Sequence, residues 1–335
     1  MRFLVIGLGS MGKRRIRCLK KLGFNEIIGY DINYERSNQV SNLFNITTFT
    51  NFKEIEYLNF EAIFVCTPPD RHKEYVIWAI NRNIPVFVEA SVILEHSIEI
   101  KNYLLSSNKN VLIAPSLTFK FHPVINEIRE IILNGEYGKV SNFLYHSGQY
   151  LPDWHPWEDI KDFYVSKRET GGAREIVAFE LSWIVDVFGF PSEIKGFFGK
   201  TIDIGINIDD TYAFLLKFKD KHIFGNILVD VTSRYATRSL TINLEYAQIR
   251  WDWNKNYFEL FDAINKRFII YYQPESEAAS GYNKNIIEDM YVKETKAFID
   301  SIVNNIPFPN NLDNDIKVLE LLKKIEDSDG GFLRE

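Results

Sequence analysis

Arg2-Phe3-Leu4-Val5-Ile6-Gly7-Leu8-Gly9-Ser10-Met11-Gly12, then an amphipathic stretch from about Lys13 to Leu22, then Glu26-Ile27-Ile28-Gly29-Tyr30-Asp31, decides the fold. It reads as strand, glycine turn, helix, second strand and terminal acid. Gly7 permits the tight turn out of the strand. Gly9 lets backbone approach a pyrophosphate, and Gly12 lets the helix pack close to the sheet. The phosphates then rest on the unpaired N–H groups and positive end of that helix, at Ser10 and Met11. A bare GxGxxG is a weak signal; strand before, helix after and an acid about 20 residues on make it strong. Asp31 is placed to accept hydrogen bonds from the adenosine ribose, and its charge repels a 2′-phosphate. This predicts NAD, with NADP disfavoured. Arg36 softens that preference only if it reaches the site; the sequence reads it as a solvated helix charge.

Outward from this stretch, strands and helices alternate to about Leu117. Strands are expected at Arg2–Ile6, Glu26–Tyr30, Ile46–Phe49, Ala62–Cys66, Val86–Val88 and Val111–Ala114, with helices such as Lys73–Arg82 and Ser97–Ser106 between them. That alternation means a parallel sheet covered by helices, with ligands beyond the strands' carboxyl ends. After His122-Pro123 and a helix ending at Asn134-Gly135, long β-branched and aromatic runs dominate, from Val140–Ser147 to Phe268–Tyr272. They predict a large, mainly antiparallel sheet. The fold class is therefore α/β: a Rossmann domain over residues 1–118, then an α+β domain with an open sheet over 119–335. The Phe- and Tyr-rich sheet predicts burial of its open face in a homodimer or homotetramer.

At 335 residues, two domains are the natural expectation. A net charge of −6 with no basic stripe argues against nucleic acid. The Lys13-Arg14-Arg15-Arg17-Lys20-Lys21 cluster reads mostly as a solvated helix face. Two cysteines, Cys18 and Cys66, give no disulfide framework. No apolar run reaches membrane-span length. A first strand at the N-terminus leaves no room for a signal peptide, so a cytoplasmic location is expected. His96, His146 and His222 read as isolated, and no metal site is expected.

The glycine turn, Cys66-Thr67-Pro68-Pro69-Asp70-Arg71-His72, Phe119-Lys120-Phe121-His122-Pro123 and Gly135-Glu136-Tyr137-Gly138-Lys139-Val140, in that order, resemble the Gfo/Idh/MocA family over nearly the whole chain. The resemblance implies hydride transfer between a carbinol carbon and nicotinamide C4. Thr67 and Pro68 would pass the cofactor, with His72 opening the next helix and Glu89 at the nicotinamide end. Substrate identity does not follow, because one fold serves many chemistries.

The chain departs from that family at the reacting groups. The family's Glu-Lys-Pro segment is Glu89-Ala90-Ser91 here. The family's histidine, with an aspartate one helical turn before it, follows a glycine pair. Counting forward from Gly171-Gly172 puts Glu180 near the histidine and Val177 at the aspartate; counting back from Phe188-Gly189 puts Phe179 at the histidine. Neither count finds a histidine. Either other residues replace the pair, or the chemistry differs (an NAD-retaining epimerase or dehydratase), or the protein is an NAD-bound sensor or partner subunit.

Replacement is the favoured reading, because residues 150–164 form a long loop dense in polar and aromatic groups. Trp154 and Trp157 are expected to cover a sugar ring, with His155, Tyr164 or Lys167 reaching a hydroxyl or anion. Lys120 and Glu180 are the candidate proton handlers: a lysine with a pKa lowered by desolvation, and a carboxyl raised by aromatic surroundings. Arg174 and Glu175 are too polar for a core helix start and are expected to touch substrate or the loop. Arg234 and Arg238 suit an anionic group, such as a nucleotide diphosphate, phosphate or carboxylate. The expectation is an NAD-dependent oxidoreductase acting on a sugar or sugar derivative.

Overall fold

The computed structural model describes residues 1–154, 159–274 and 287–329. The chain divides into two compact units, Met1–Thr118 with Ile287–Lys317, and Phe119–Ile286 with Val318–Glu335. The return of 287–317 to the first unit was not anticipated. Its cause is a buried polar seam, described below.

The first unit holds a six-stranded parallel sheet in the order β3-β2-β1-β4-β5-β6. Its strands are β1 (Phe3–Ile6), β2 (Ile27–Tyr30), β3 (Thr47–Phe49), β4 (Ala62–Val65), β5 (Val86–Val88) and β6 (Ile113–Pro115). The helices are α1 (Ser10–Lys21), α2 (Tyr34–Phe44), α3 (His72–Arg82) and α4 (Leu94–Ser106), joined late in the chain by α7 (Glu288–Val303). Strand order reverses between β1 and β4, so the ligand crevice lies beyond their carboxyl ends. Core packing alternates across the sheet: Leu4 and Ile6 pack with Ile63, Val65 and Val76, while Phe3 and Val5 pack with Ile16, Phe64 and Phe298.

The second unit begins with α5 (Pro123–Asn134), which opens on proline and closes on Gly135 at φ 68°, as its sequence demands. Its sheet has eight strands in the order β14-β13-β12-β11-β7-β10-β9-β8. They are β7 (Val140–Tyr150), β8 (Glu193–Gly199), β9 (Thr211–Phe218), β10 (Ile223–Asp230), β11 (Thr232–Leu244), β12 (Ala247–Asp252), β13 (Tyr257–Asp262) and β14 (Arg267–Tyr272). One pair, β10 with β7, is parallel and the rest are antiparallel. Helix α6 (Ala173–Phe188) covers one face, where Phe188 stacks on Phe143 of β7 at 4.2 Å. On the opposite face, strand register aligns Leu144, Phe197, Leu215, Phe224 and Leu228, all exposed. Helix α8 (Leu312–Ser328) ends the described chain. No described helix is long and apolar enough to cross a membrane.

Candidate functional site

In the first unit the glycine turn is built as its sequence requires. Gly7 sits at φ 86°, and a Cβ there would lie 2.7 Å from the Cys66 carbonyl oxygen and Thr67 nitrogen. The turn after β1 therefore touches the exit of β4. A Cβ on Gly12 would meet the Gly7 carbonyl oxygen at 1.9 Å, so helix and turn interlock only through glycine. Gly9 caps α1, and its absent Cβ faces open space. The first turn of α1 carries no acidic side chain, leaving its positive end uncompensated. A dinucleotide pyrophosphate fits that open cradle. Ser10 and Met11 open the helix, and the Met11 sulfur accepts a hydrogen bond from Arg14 at 3.3 Å.

Asp31 is buried at the end of β2. Its Oδ2 accepts from the Leu8 amide at 2.8 Å and its Oδ1 from the Asn33 amide at 2.9 Å. Arg36 does not stand free in solvent as expected: its Nη1 lies 3.3 Å from Asp31 Oδ2. At the exit of β4, the Thr67 hydroxyl is buried without a partner among the described residues. His72 Nε2–H donates to the Thr67 carbonyl at 2.8 Å, with Pro68 capping the intervening turn. Burial holds the His72 pKa down to about 4, so the ring is neutral at ordinary pH and its donor role is structural.

Two members of the basic cluster on α1 depart from the solvated face expected of most of it. Arg14 and Arg15 are buried rather than solvated. Arg14 and Arg17 share Glu288, and Lys21 pairs with Asp289. Arg15 Nε meets Glu89 at 2.6 Å, and its Nη2 meets Glu294 at 2.7 Å. Both Glu89 oxygens are engaged by Arg15, so the structural role is the one visible for Glu89. This seam is what draws α7 onto α1.

In the second unit, Glu180 lies on α6 and is fully buried. Its carboxylate accepts from Tyr145 (2.6 Å), Ser147 (3.0 Å), Trp183 Nε1 (2.6 Å) and Arg238 Nη2 (2.5 Å). Donors surround it where an apolar setting was expected. Arg238 is thereby committed to Glu180 and stacks on Phe119 and Trp253, which withdraws it as an anion receptor. Lys120 likewise meets a carboxylate, Asp186 Oδ1 at 2.6 Å, in place of the desolvated pocket expected. Lone sequence positions could not reveal these partners, 66 and 58 residues away.

The loop before α6 is fixed by the glycine pair. A Cβ on Gly171 would lie 2.1 Å from the Val165 carbonyl oxygen, and Gly172 adopts φ 64° against Asp209. Tyr164 donates to Glu175 Oε1 at 2.7 Å, so Glu175 does touch the loop. The other oxygen, Oε2, is shielded from solvent with no partner among the described residues. Burial pushes the Glu175 carboxyl up to about 7, while the Tyr164 hydrogen bond opposes the shift. Arg174 pairs with Glu326 at 2.7 Å. The Trp154 indole N–H is also shielded from solvent with no partner among the described residues. Arg234 is exposed and stacks on the Tyr150 ring at 3.7 Å. His155 and Trp157 lie outside the described residues.

A further pairing escaped the sequence. His146, read as isolated, lies 2.7 Å from Asp230 Oδ2. Asp230 also accepts from Thr232 and Ser233, and its pKa falls to about 2 because these hydrogen bonds outweigh burial. Gly148 makes room for the pair, since a Cβ there would sit 2.8 Å from both His146 Nε2 and Asp230 Oδ2. No cluster able to hold a metal occurs among the described residues.

Residues 1–108 match the model of the Gfo/Idh/MocA family, described as an oxidoreductase family with an NAD-binding Rossmann fold. Over these residues the chain is similar to that family's NAD-binding domain. No curated protein sequence matches the chain. Solved structures extend the likeness of fold to both domains. An oxidoreductase from Agrobacterium radiobacter, in complex with NAD+, L-tartaric acid and magnesium, is 13% identical with a TM-score of 0.85, covering 98% of this chain and 96% of its own. A levoglucosan dehydrogenase, in complex with NADH and levoglucosan, is 14% identical with a TM-score of 0.81, covering 98% and 97%. A probable dehydrogenase from Thermotoga maritima is 20% identical with a TM-score of 0.78, covering 98% and 96%. The Gfo/Idh/MocA resemblance, the α/β class with its open second sheet, and NAD as the cofactor expected of the glycine turn all stand.

Proposed function

We propose that this Gfo/Idh/MocA-type oxidoreductase acts on a sugar or sugar derivative with NAD as cofactor. The observation that carries the reading is the open cradle at Gly9, with Asp31 fixed beside it by the Leu8 amide. Bound NAD supplies a hydride acceptor, or in its reduced form a donor, at nicotinamide C4. The chain's own residues bind the pyrophosphate at the glycine turn and the ribose at Asp31.

Glu175 takes the proton-handling role in place of Lys120 and Glu180, whose charges are already spent on ion pairs. A carboxyl with a pKa near 7 is present in both forms at neutral pH, which suits general acid or base work. Its uncommitted Oε2 is the oxygen for a substrate hydroxyl, and Tyr164 fixes the other. Arg234, exposed and without a carboxylate partner among the described residues, suits an anionic substituent on the sugar. The exposed apolar face of the second sheet supports a homodimer or homotetramer. Two unpaired cysteines fit a reducing compartment such as the cytoplasm.

The test pairs NADH binding with turnover on a panel of neutral and anionic sugars, for wild type and Glu175→Gln. The reading requires NADH binding in both proteins, and turnover in wild type that falls at least about 100-fold in the variant. Binding without turnover on any sugar would make the protein an NAD-bound sensor. Failure to bind NADH would remove the cofactor reading altogether.

A further inference from the structure

Glu175 and the turn that precedes α6 lie wholly in the second unit. Tyr164, which holds Glu175 Oε1, is itself held. It opens a short 3₁₀ turn, Tyr164–Ser166. Its carbonyl accepts from the Lys167 amide and the Thr170 hydroxyl, both at 3.1 Å. The Gly171 amide donates to the Lys167 carbonyl at 2.9 Å, so the turn closes on itself. Val165, against which Gly171 packs, is buried. The closed turn is then pinned from outside. Arg168 engages both oxygens of Asp209, at 2.8 and 2.6 Å. The Asp209 carbonyl accepts from the amide of Ala173, the first residue of α6, at 3.1 Å. Asp209 therefore fixes the turn through its side chain and the start of α6 through its backbone. Tyr164 and Glu175 sit on the two parts that it joins.

Two influences act on the Glu175 carboxyl: burial raises its pKa, and the Tyr164 hydrogen bond lowers it. The cations next to it are committed elsewhere. Arg174 pairs with Glu326 and donates to the Glu169 carbonyl, and Arg168 pairs with Asp209. A hydroxyl donor stabilises an ionised carboxyl more than a neutral one. Tyr164 thus offsets part of the burial, and it does so from a fixed place. It engages only Oε1, which leaves Oε2 without a partner among the described residues.

We propose that Tyr164 is the positioning residue for Glu175: its hydroxyl orients the carboxyl so that Oε2 meets the substrate and favours the ionised form, while Arg168, through Asp209, holds Tyr164 in place. In this role Tyr164 acts through Glu175 rather than on the substrate. The proposal rests on the proton-handling reading of Glu175 above and states what tunes it. In oxidation, Oε2 takes the proton of the substrate hydroxyl, which requires the ionised carboxyl. The rate therefore climbs with pH through about 7, and Tyr164 sets where that climb falls.

The experiment titrates the glutamate carboxyl carbons by NMR in the protein without cofactor, with Glu175→Gln identifying the Glu175 signal. Tyr164→Phe removes one oxygen and keeps the ring. It should move the Glu175 midpoint upward by about one unit. Arg168→Ala should move it the same way by less, with Arg168→Lys between that variant and wild type. A cooperative denaturant transition in each variant reports that it is folded. Oxidation by NAD of whichever panel sugar wild type turns over gives the second readout. Tyr164→Phe should be slower by about fivefold at pH 7 and close to wild type at pH 9. A Glu175 midpoint that Tyr164→Phe leaves in place overturns the proposal, as does a loss of rate that is the same at both pH values. Full turnover by Glu175→Gln would instead strike the proton-handling reading itself.

Discussion

Arg15 and Glu294 form an ion pair at 2.7 Å with both side chains fully excluded from solvent. Glu294 also accepts from the Ser116 hydroxyl, the Leu117 amide and the Thr118 hydroxyl, at 2.6 to 3.0 Å. One carboxylate on α7 thus ties α1 to the strand exit after β6. Breaking a buried pair from one side leaves an uncompensated charge, which costs about 3–5 kcal/mol. Glu294→Ala should lower the free energy of unfolding by that much, as read from denaturant titration. Arg15→Met with Glu294→Gln should lose less than the sum of the single changes, as a double-mutant cycle would show.

Glu180→Ala should behave as a stability mutant. The change strands Arg238, Tyr145, Ser147 and Trp183 without their acceptor in a buried layer between α6 and β7. A loss of about 3–5 kcal/mol in denaturant unfolding is expected. Activity per folded molecule should fall far less than in Glu175→Gln; an equal fall would restore Glu180 as a proton handler.

Asp315, on α8, gives a pH-dependent prediction. It accepts from Ser97 at 3.2 Å and from Ser91, and burial pushes its carboxyl up to about 6. Between its unfolded value of 3.8 and about 6, the native state binds more protons than the unfolded state. Stability therefore falls as pH rises through that window and stays lower above it. A shift of two units corresponds to about 3 kcal/mol. Asp315→Asn removes the charge, so it should be more stable than wild type at pH 7.5 by up to that amount, with no advantage at pH 4. Urea midpoints at the two pH values decide it.

Gly148→Ala should disrupt the His146–Asp230 pair. The new methyl would fall 2.4 Å from Ser233 Oγ and 2.8 Å from both paired atoms. Overpacking of this kind costs about 1–3 kcal/mol. The Asp230 carboxyl, which the His146 hydrogen bond helps to hold down at about 2, should titrate at higher pH once that bond is broken, and NMR of the carboxyl carbon would detect it. An unchanged carboxyl titration would mean that the pair survives the methyl.

Some of this protein is determined locally, and the sequence alone carries it. The glycine turn, Asp31 at the end of β2, the proline and glycine that bound α5, and most of the described strands follow from short-range signals, whereas β11 begins eight residues before the run that the sequence marks. Backbone sterics and hydrophobic periodicity act over a few residues, so they can be read from a few residues. The fate of each charge was decided only by the tertiary structure. Arg15, Lys120, Glu180, Arg238 and His146 each found a partner at least 58 residues away. A lone ionisable group reads the same whether it will be solvated, paired or poised for chemistry. What distinguishes these outcomes is the desolvation cost and the counter-charge at its folded position, and both are set by which distant elements pack against it.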